Sequence, residues 1–292
     1  MEIKTNAPTI SSSALLVEHT QSVWTGNRMD KKASKQVVVA NHAVAGAAHV
    51  YKKLLGNSVE LKTLRDFAAN ARNAHYAMTL PWAAGLQLLP TANYFEYHEA
   101  MTGAQAEFRR LTDMFLGSYG WEVSQAQAKL GTLFNPMDYP SAEALRRKFS
   151  FNFYYSPVPE AGHFATDLMS EANEILKEEY GTYFDKNMER AMNSIWEKMH
   201  DVLGKLSERL DYGDTEDKKV FRDTLVSNAL DVVGVLKSCN VTKDPKLEAM
   251  RIKLESTLQG VTAVGLRGSG NLREKTKSQV DAILKELPSL DF

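Results

Sequence analysis

The residues best suited to chemistry lie in two short runs. Trp24-Thr25-Gly26-Asn27-Arg28 continues to Lys31, Lys32 and Lys35, and Gly265-Leu266-Arg267-Gly268-Ser269-Gly270-Asn271 precedes an expected helix. Backbone N–H groups at a helix start attract anions, and Arg267 could add a bidentate contact to a phosphate. The glycine-rich run lacks the preceding parallel strand of a nucleotide fold, so an interhelical loop is the plainer expectation. In the first run an aromatic ring beside several bases could stack a nucleobase while the bases neutralise phosphates. The candidate nucleic-acid or anion contacts are therefore Trp24, Arg28, Lys31, Lys32 and Arg267. A solvated helix start with Trp24 against the core is the plainer expectation for the first run, since no RNP-like aromatic pair or DNA-reading motif accompanies it.

Other chemistries find less support. The chain has no Gly-x-x-x-x-Gly-Lys-Ser/Thr phosphate loop, no Gly-x-Ser-x-Gly elbow and no His-Glu-x-x-His zinc helix. His98-Glu99 is followed by Ala100 and Met101, and Thr102 stands where the second zinc ligand would be. The histidines at 19, 42, 49, 75, 98, 163 and 200 are dispersed, and the seven-residue spacing of His42 and His49 separates the rings too far to share one ion on a regular helix. Cys239 has only Lys237, Ser238 and Asn240 close by in sequence, none of them a base suited to activating a thiol. Glu178-Glu179 and Glu216-Asp217 read as solvated helix faces. The expectation is a non-enzymatic protein with no catalytic, cofactor-binding or metal-ligating residues, and no cofactor.

Helices must position whatever site exists. Tyr94, Tyr97, Met101, Ala104, Phe108, Leu111 and Phe115 alternate by three and four, which keeps one apolar seam on one face between Asn93 and Tyr119. Met188, Met192, Ile195, Met199, Val202, Leu206 and Leu210 repeat the device and continue upstream through Leu168, Ala172, Leu176, Tyr180 and Phe184. A helix from Ala165 to Leu210 would run roughly 65 to 70 Å, with Gly181 or Gly204 as places to bend or break. Two such seams pack most simply on each other, with Tyr97, Met101, Phe108, Leu111, Phe115, Met192, Ile195, Met199 and Leu206 at the helix interface. Further helical spacing covers Val37 to Leu55, Val59 to Met78, Trp121 to Leu130, Glu216 to Cys239, Pro245 to Leu258 and Asn271 to Leu287. Gly56-Asn57-Ser58 serves as C-cap, turn and N-cap, Asp214-Thr215 and Asp244-Pro245 start helices, and Pro288 ends the last. Phe149 to Tyr155 reads as a short strand or hairpin arm, and Leu80 to Pro90 as an ordered loop. The fold class expected is mainly α: an elongated helical bundle with long antiparallel coiled-coil-like helices and a small β hairpin or strand.

The 292 residues, with 35 Lys+Arg against 36 Asp+Glu and 43% hydrophobic content, suit a folded chain and exclude a generally polybasic or polyacidic one. The near-neutrality conceals a polarity, with 16 bases against 12 acids up to residue 155 and 19 against 24 beyond it. The expected organisation is a mildly basic helical region, 1–155, ending in the aromatic strand, then an acidic long-helix region, 156–292, in one continuous body. A single cysteine, no apolar leader after Met1 and no apolar run long enough to span a bilayer point to the cytoplasm and away from membranes.

Three stretches together carry a resemblance: Val23-Trp24-Thr25-Gly26; Leu80-Pro81-Trp82 through Gly85 to Leu89-Pro90; and Leu130-Gly131-Thr132-Leu133-Phe134 through Asp138-Tyr139-Pro140-Ser141 to Pro157-Val158-Pro159-Glu160. Over about residues 14–210 their order and spacing resemble an uncharacterised family of tailed phages and proteobacteria, often encoded beside a MoxR-type AAA+ ATPase and a VWA-domain protein. The chain itself has neither a Walker motif nor the Asp-x-Ser-x-Ser metal site of a VWA domain. The resemblance implies no catalytic residues. It implies a phage-encoded adaptor or substrate-recognition component of an AAA+/VWA remodelling system, acting in the host cytoplasm on a protein partner. Self-association of the seams, nucleic-acid binding through the patch near Trp24, and a virion or assembly role are the alternatives.

Overall fold

A computed structural model describes residues 10–159, 170–212 and 224–289. It is mainly helical with small antiparallel sheets. In chain order the elements are α1 (Ile10–Ser13), β1 (Ala14–Ser22), β2 (Asn27–Met29), α2 (Lys31–Ala40), β3 (Tyr51–Lys53), α3 (Val59–Met78), β4 (Leu80–Ala83), β5 (Leu86–Pro90), α4 (Tyr94–Leu130), α5 (Ala142–Arg146), β6 (Ser150–Pro157), α6 (Ser170–Leu210), α7 (Thr224–Cys239), α8 (Pro245–Leu258), α9 (Ala263–Gly268) and α10 (Gly270–Glu286). One sheet has the order β4-β5-β1-β6, and β2 pairs with β3 in a second. Strand β5 is antiparallel to both neighbours, with Leu88 opposite Leu16 of β1 and Leu80 of β4.

Contacts divide the chain into two units, and no single cut produces them. Unit one comprises Met1–Glu18, Tyr76–Tyr97 and Tyr154–Phe292; unit two comprises His19–His75 and His98–Phe153. The divisions fall inside β1, α3, α4 and β6. Sorted this way the charges separate further: unit one carries 20 bases and 27 acids, and unit two 15 bases and 9 acids, a net +6.

In unit one, α6 supplies Ile195, Met199, Leu203, Leu206 and Leu210 to a buried cluster with Val232 and Leu236 of α7, Leu254 of α8, Val280 and Ile283 of α10, and Leu80 and Trp82 of β4. Met192 is partly buried against the same cluster. In unit two the α4 seam continues past Tyr119 to Glu122 and Ala126, and Phe115 and Tyr119 close a core with Trp24, Leu54, Leu55, Leu61 and Leu145. Phenylalanines on alternate residues of the Phe149–Phe151 stretch stack on this helix, Phe108 against Phe151 at 5.5 Å and Phe115 against Phe149 at 5.7 Å. That ladder is the reason for the alternation seen in the sequence: a strand with one face on a helix buries every second side chain.

Several expectations change. The α6 seam is buried against α7, α8 and α10 in unit one, and Phe115 of the α4 seam is buried in the core of unit two. Asn93–Tyr119 and Trp121–Leu130 form one helix, since a continuous buried stripe outweighs the roughly 1 kcal/mol cost of Gly120 in a helix interior. Gly181 and Gly204 likewise lie within unbroken α6. Val37–Leu55 is not a helix: α2 starts earlier, at Lys31, and ends at Ala40, and the chain returns as β3. Leu80–Pro90 is the β4–β5 hairpin, turning at Gly85 with a φ of 79°. The glycine-rich run is largely helical, forming the end of α9 and the start of α10. Strand β1 was not expected. Helices α3 and α8 match their expected bounds, the latter capped by Asp244 with Pro245 in its first turn. His163, Leu168, Asp214-Thr215 and Glu216-Asp217 lie outside the described residues.

Candidate basic groove of unit two

The base of this site is a clamp. Asp30 caps α2, its carboxylate accepting from the Ala33 N–H at 2.9 Å, while its own N–H donates to Val50 O at 2.8 Å. Ser34 Oγ donates to Asp30 O and accepts from the Val50 N–H, so the start of α2 is tied to the chain entering β3. From β3, Lys52 sends its ammonium to Asp138 at 2.6 Å, Asp30 at 3.6 Å and Leu133 O at 2.8 Å. Its side chain is 8% exposed, so the ammonium is held by one backbone hydrogen bond, to Leu133 O, and by the charges of Asp138 and Asp30. The Asp30 carboxyl is held below its usual range, first by the Ala33 N–H and then by the field of Lys52.

Lys52 thereby compensates both carboxylates, and the remaining bases face three adjoining depressions. The largest, about 650 Å³, is lined by Lys53, Lys62 and Arg65 together with Leu55, Val59 and Leu61. A second, about 480 Å³, includes Arg28 and Lys31, and a third, about 310 Å³, includes Arg28 and Lys148. Thr25 and Asn27 line both the first and third, and Arg28 and Asp138 both the second and third. The three depressions adjoin along Thr25–Lys31 and are together called the groove. Lys62 pairs with Asp66, and Arg28 reaches Asp138 only at 3.6 Å with a side chain 62% exposed. Gly26, with a φ of 67°, lines the groove where a Cβ would stand 2.8 Å from Leu61 Cδ2.

Above the clamp runs the least expected surface. Residues 36–50, Gln-Val-Val-Val-Ala-Asn-His-Ala-Val-Ala-Gly-Ala-Ala-His-Val, contain no Asp, Glu, Lys or Arg. Every residue from Val39 to Ala47 is nonetheless exposed, Val39 at 62% and Val44 at 79%. Contiguous apolar surface of this kind marks interaction sites more often than scattered single residues do.

The sequence candidates fare unequally. Arg28 and Lys31 line the groove, and Lys32 is exposed one residue on. Trp24 is 9% exposed, its ring 6.1 Å from Phe115 and 6.0 Å from Tyr119, so stacking a base on it would require opening the core. Arg267 belongs to unit one, where its Nε donates to Ala263 O, and Thr262 and Ser269 hydroxyls cap the Gly265 and Leu272 N–H groups that an anion would need. Cys239 is buried, which pushes its thiol up and disfavours the thiolate. The buried His75 and the half-buried His19 form a tilted pair at 5.1 Å, with Asn152 O and Gln21 Oε1 against the His19 ring nitrogens. Among the described residues no group of three or more metal-ligating side chains occurs.

Sequence reasoning missed Lys52, Asp30 and Asp138, which are far apart in the chain. A usable signal existed in the quoted motifs. Leu54 N–H donates to Gly26 O, Tyr139 OH to Leu54 O at 2.7 Å, and Tyr119 OH to Pro140 O at 2.9 Å, so the Trp24 and Asp138 motifs meet at the groove. No helix among the described residues is long and apolar enough to cross a membrane. No family model, curated protein or solved structure matches this chain.

Proposed function

We propose that the chain is a non-enzymatic protein-interaction factor, with the 31–53 excursion of unit two as its docking element. The observation that carries this reading is the exposed, uncharged segment 36–50, held at its base by the Lys52 clamp. Burying apolar side chains on a partner gains about 25 cal/mol per Å², and the clamp fixes both ends of the segment before binding. The family resemblance supplies the partner class: an AAA+ ATPase or VWA protein, in the host cytoplasm, with this chain as adaptor or substrate-recognition component. The same proposal includes coiled-coil-like pairing in an elongated bundle, supported by the 37- and 41-residue lengths of α4 and α6.

Co-purification of the tagged chain with the products of neighbouring genes tests the role. The wild type should retain a partner, and Val39→Asp with Val44→Asp should lose it while the circular dichroism spectrum stays unchanged. Equal retention by both proteins would remove the segment from the account. A second reading, nucleic-acid binding, is favoured by the bases of the groove. It expects affinity for single-stranded DNA or RNA that falls steeply with salt.

A further inference from the structure

Resting on the interaction role above, we propose that the groove along Thr25–Lys31 takes an acidic, partly apolar peptide segment of the partner. The first support is charge. Lys53, Arg65, Arg28, Lys31 and Lys148 line the groove, and the carboxylates Asp30 and Asp138 within it already face Lys52. Unit two as a whole carries a net +6, so an approaching acidic segment meets a favourable field.

The second support is the company these bases keep. Val59, 70% exposed, lines the same depression as Lys53, Lys62 and Arg65, whose lining also includes the buried Leu55 and Leu61. A peptide interleaving carboxylates with leucine-sized side chains satisfies both surfaces, whereas a sugar-phosphate chain satisfies the bases alone. The third support separates the two polyanions. Sequence-tolerant nucleic-acid grooves use accessible aromatic faces worth about 1–3 kcal/mol per stacked base. Trp24 is the one aromatic among the described residues lining this groove, and it is packed into the core.

Fluorescence anisotropy on the full chain tests this with three labelled probes: a peptide of about twelve residues with glutamates among Leu, Ala and Ser; its lysine counterpart; and an oligodeoxythymidine of similar length. The glutamate peptide should bind saturably and weaken with salt. Lys53→Ala and Arg65→Ala, folded by circular dichroism, should each weaken it about threefold to tenfold. Absence of glutamate-peptide binding at low salt, equal binding of the lysine peptide, tighter binding of the oligonucleotide, or indifference to both substitutions would overturn the proposal. Partner retention that is lost with Val39→Asp, beside no peptide binding, would leave the interaction role standing and remove only the groove. Peptide binding without any retained partner would have the opposite meaning.

Discussion

Replacing His75 by Gln should make unit two less sensitive to acid. His75 is 3% exposed, lies 5.1 Å from the His19 ring, and has a pKa lowered to about 4, mainly by burial and secondarily by His19. In the unfolded chain it titrates near 6.5. Above pH 6.5 neither state holds the extra proton, and His75 does not make stability depend on pH. Between 6.5 and 4 the unfolded chain takes up a proton that the folded chain refuses, so stability falls by about 1.4 kcal/mol per pH unit. At pH 5 that amounts to about 2 kcal/mol from His75. His19 adds in the same direction, its pKa also lowered by burial in spite of the Asn152 and Gln21 contacts. The lowered carboxyls of Asp30 and Glu107 lose their stabilising effect only as pH falls through lower values, so the window from 6.5 to 5 isolates the histidines. Urea unfolding at pH 7 and pH 5, followed by tryptophan fluorescence, measures the difference. His75→Gln should be less stable than wild type at pH 7 because it disturbs packing, yet it should lose about 2 kcal/mol less between the two pH values. An unchanged loss in the variant would refute the assignment of a neutral buried His75.

Three further outcomes follow from the same packing. Lys52→Met should destabilise unit two by about 2 to 4 kcal/mol, because the largely buried Asp138 is left with only the exposed Arg28 at 3.6 Å; urea midpoints read this. Gly26→Ala should cost about 2 kcal/mol, combining a left-handed backbone with a Cβ against Leu61, while Gly46→Ala, left-handed but with open space around its Cβ, should cost only about 1; thermal denaturation of the pair separates the two effects. Leu203→Ala should cost about 2 to 5 kcal/mol in unit one, since Leu203 is fully buried in the α6 cluster; a variant as stable as wild type by urea unfolding would contradict that packing.

What the sequence determined by itself was local. The three-four alternation in α4 and α6 was legible because a helix that buries one face must repeat at 3.6 residues. Asp244-Pro245 marked the start of α8, and the alternating phenylalanines before Tyr155 marked β6. Val37–Leu55 was misread as a helix because apolar residues usually signal a buried helix face, whereas here Val39 and Val44 face solvent. Only the tertiary structure decided which residues form the groove. Lys52, Asp30 and Asp138 meet across more than eighty residues of chain because β2 and β3 pair and the Asp138 turn packs beside them, and no local spacing encodes such a meeting. The charge polarity followed the same rule. It was visible along the sequence, but the chain crosses between the units inside four elements, so the basic set belongs to an interleaved unit and not to an N-terminal half.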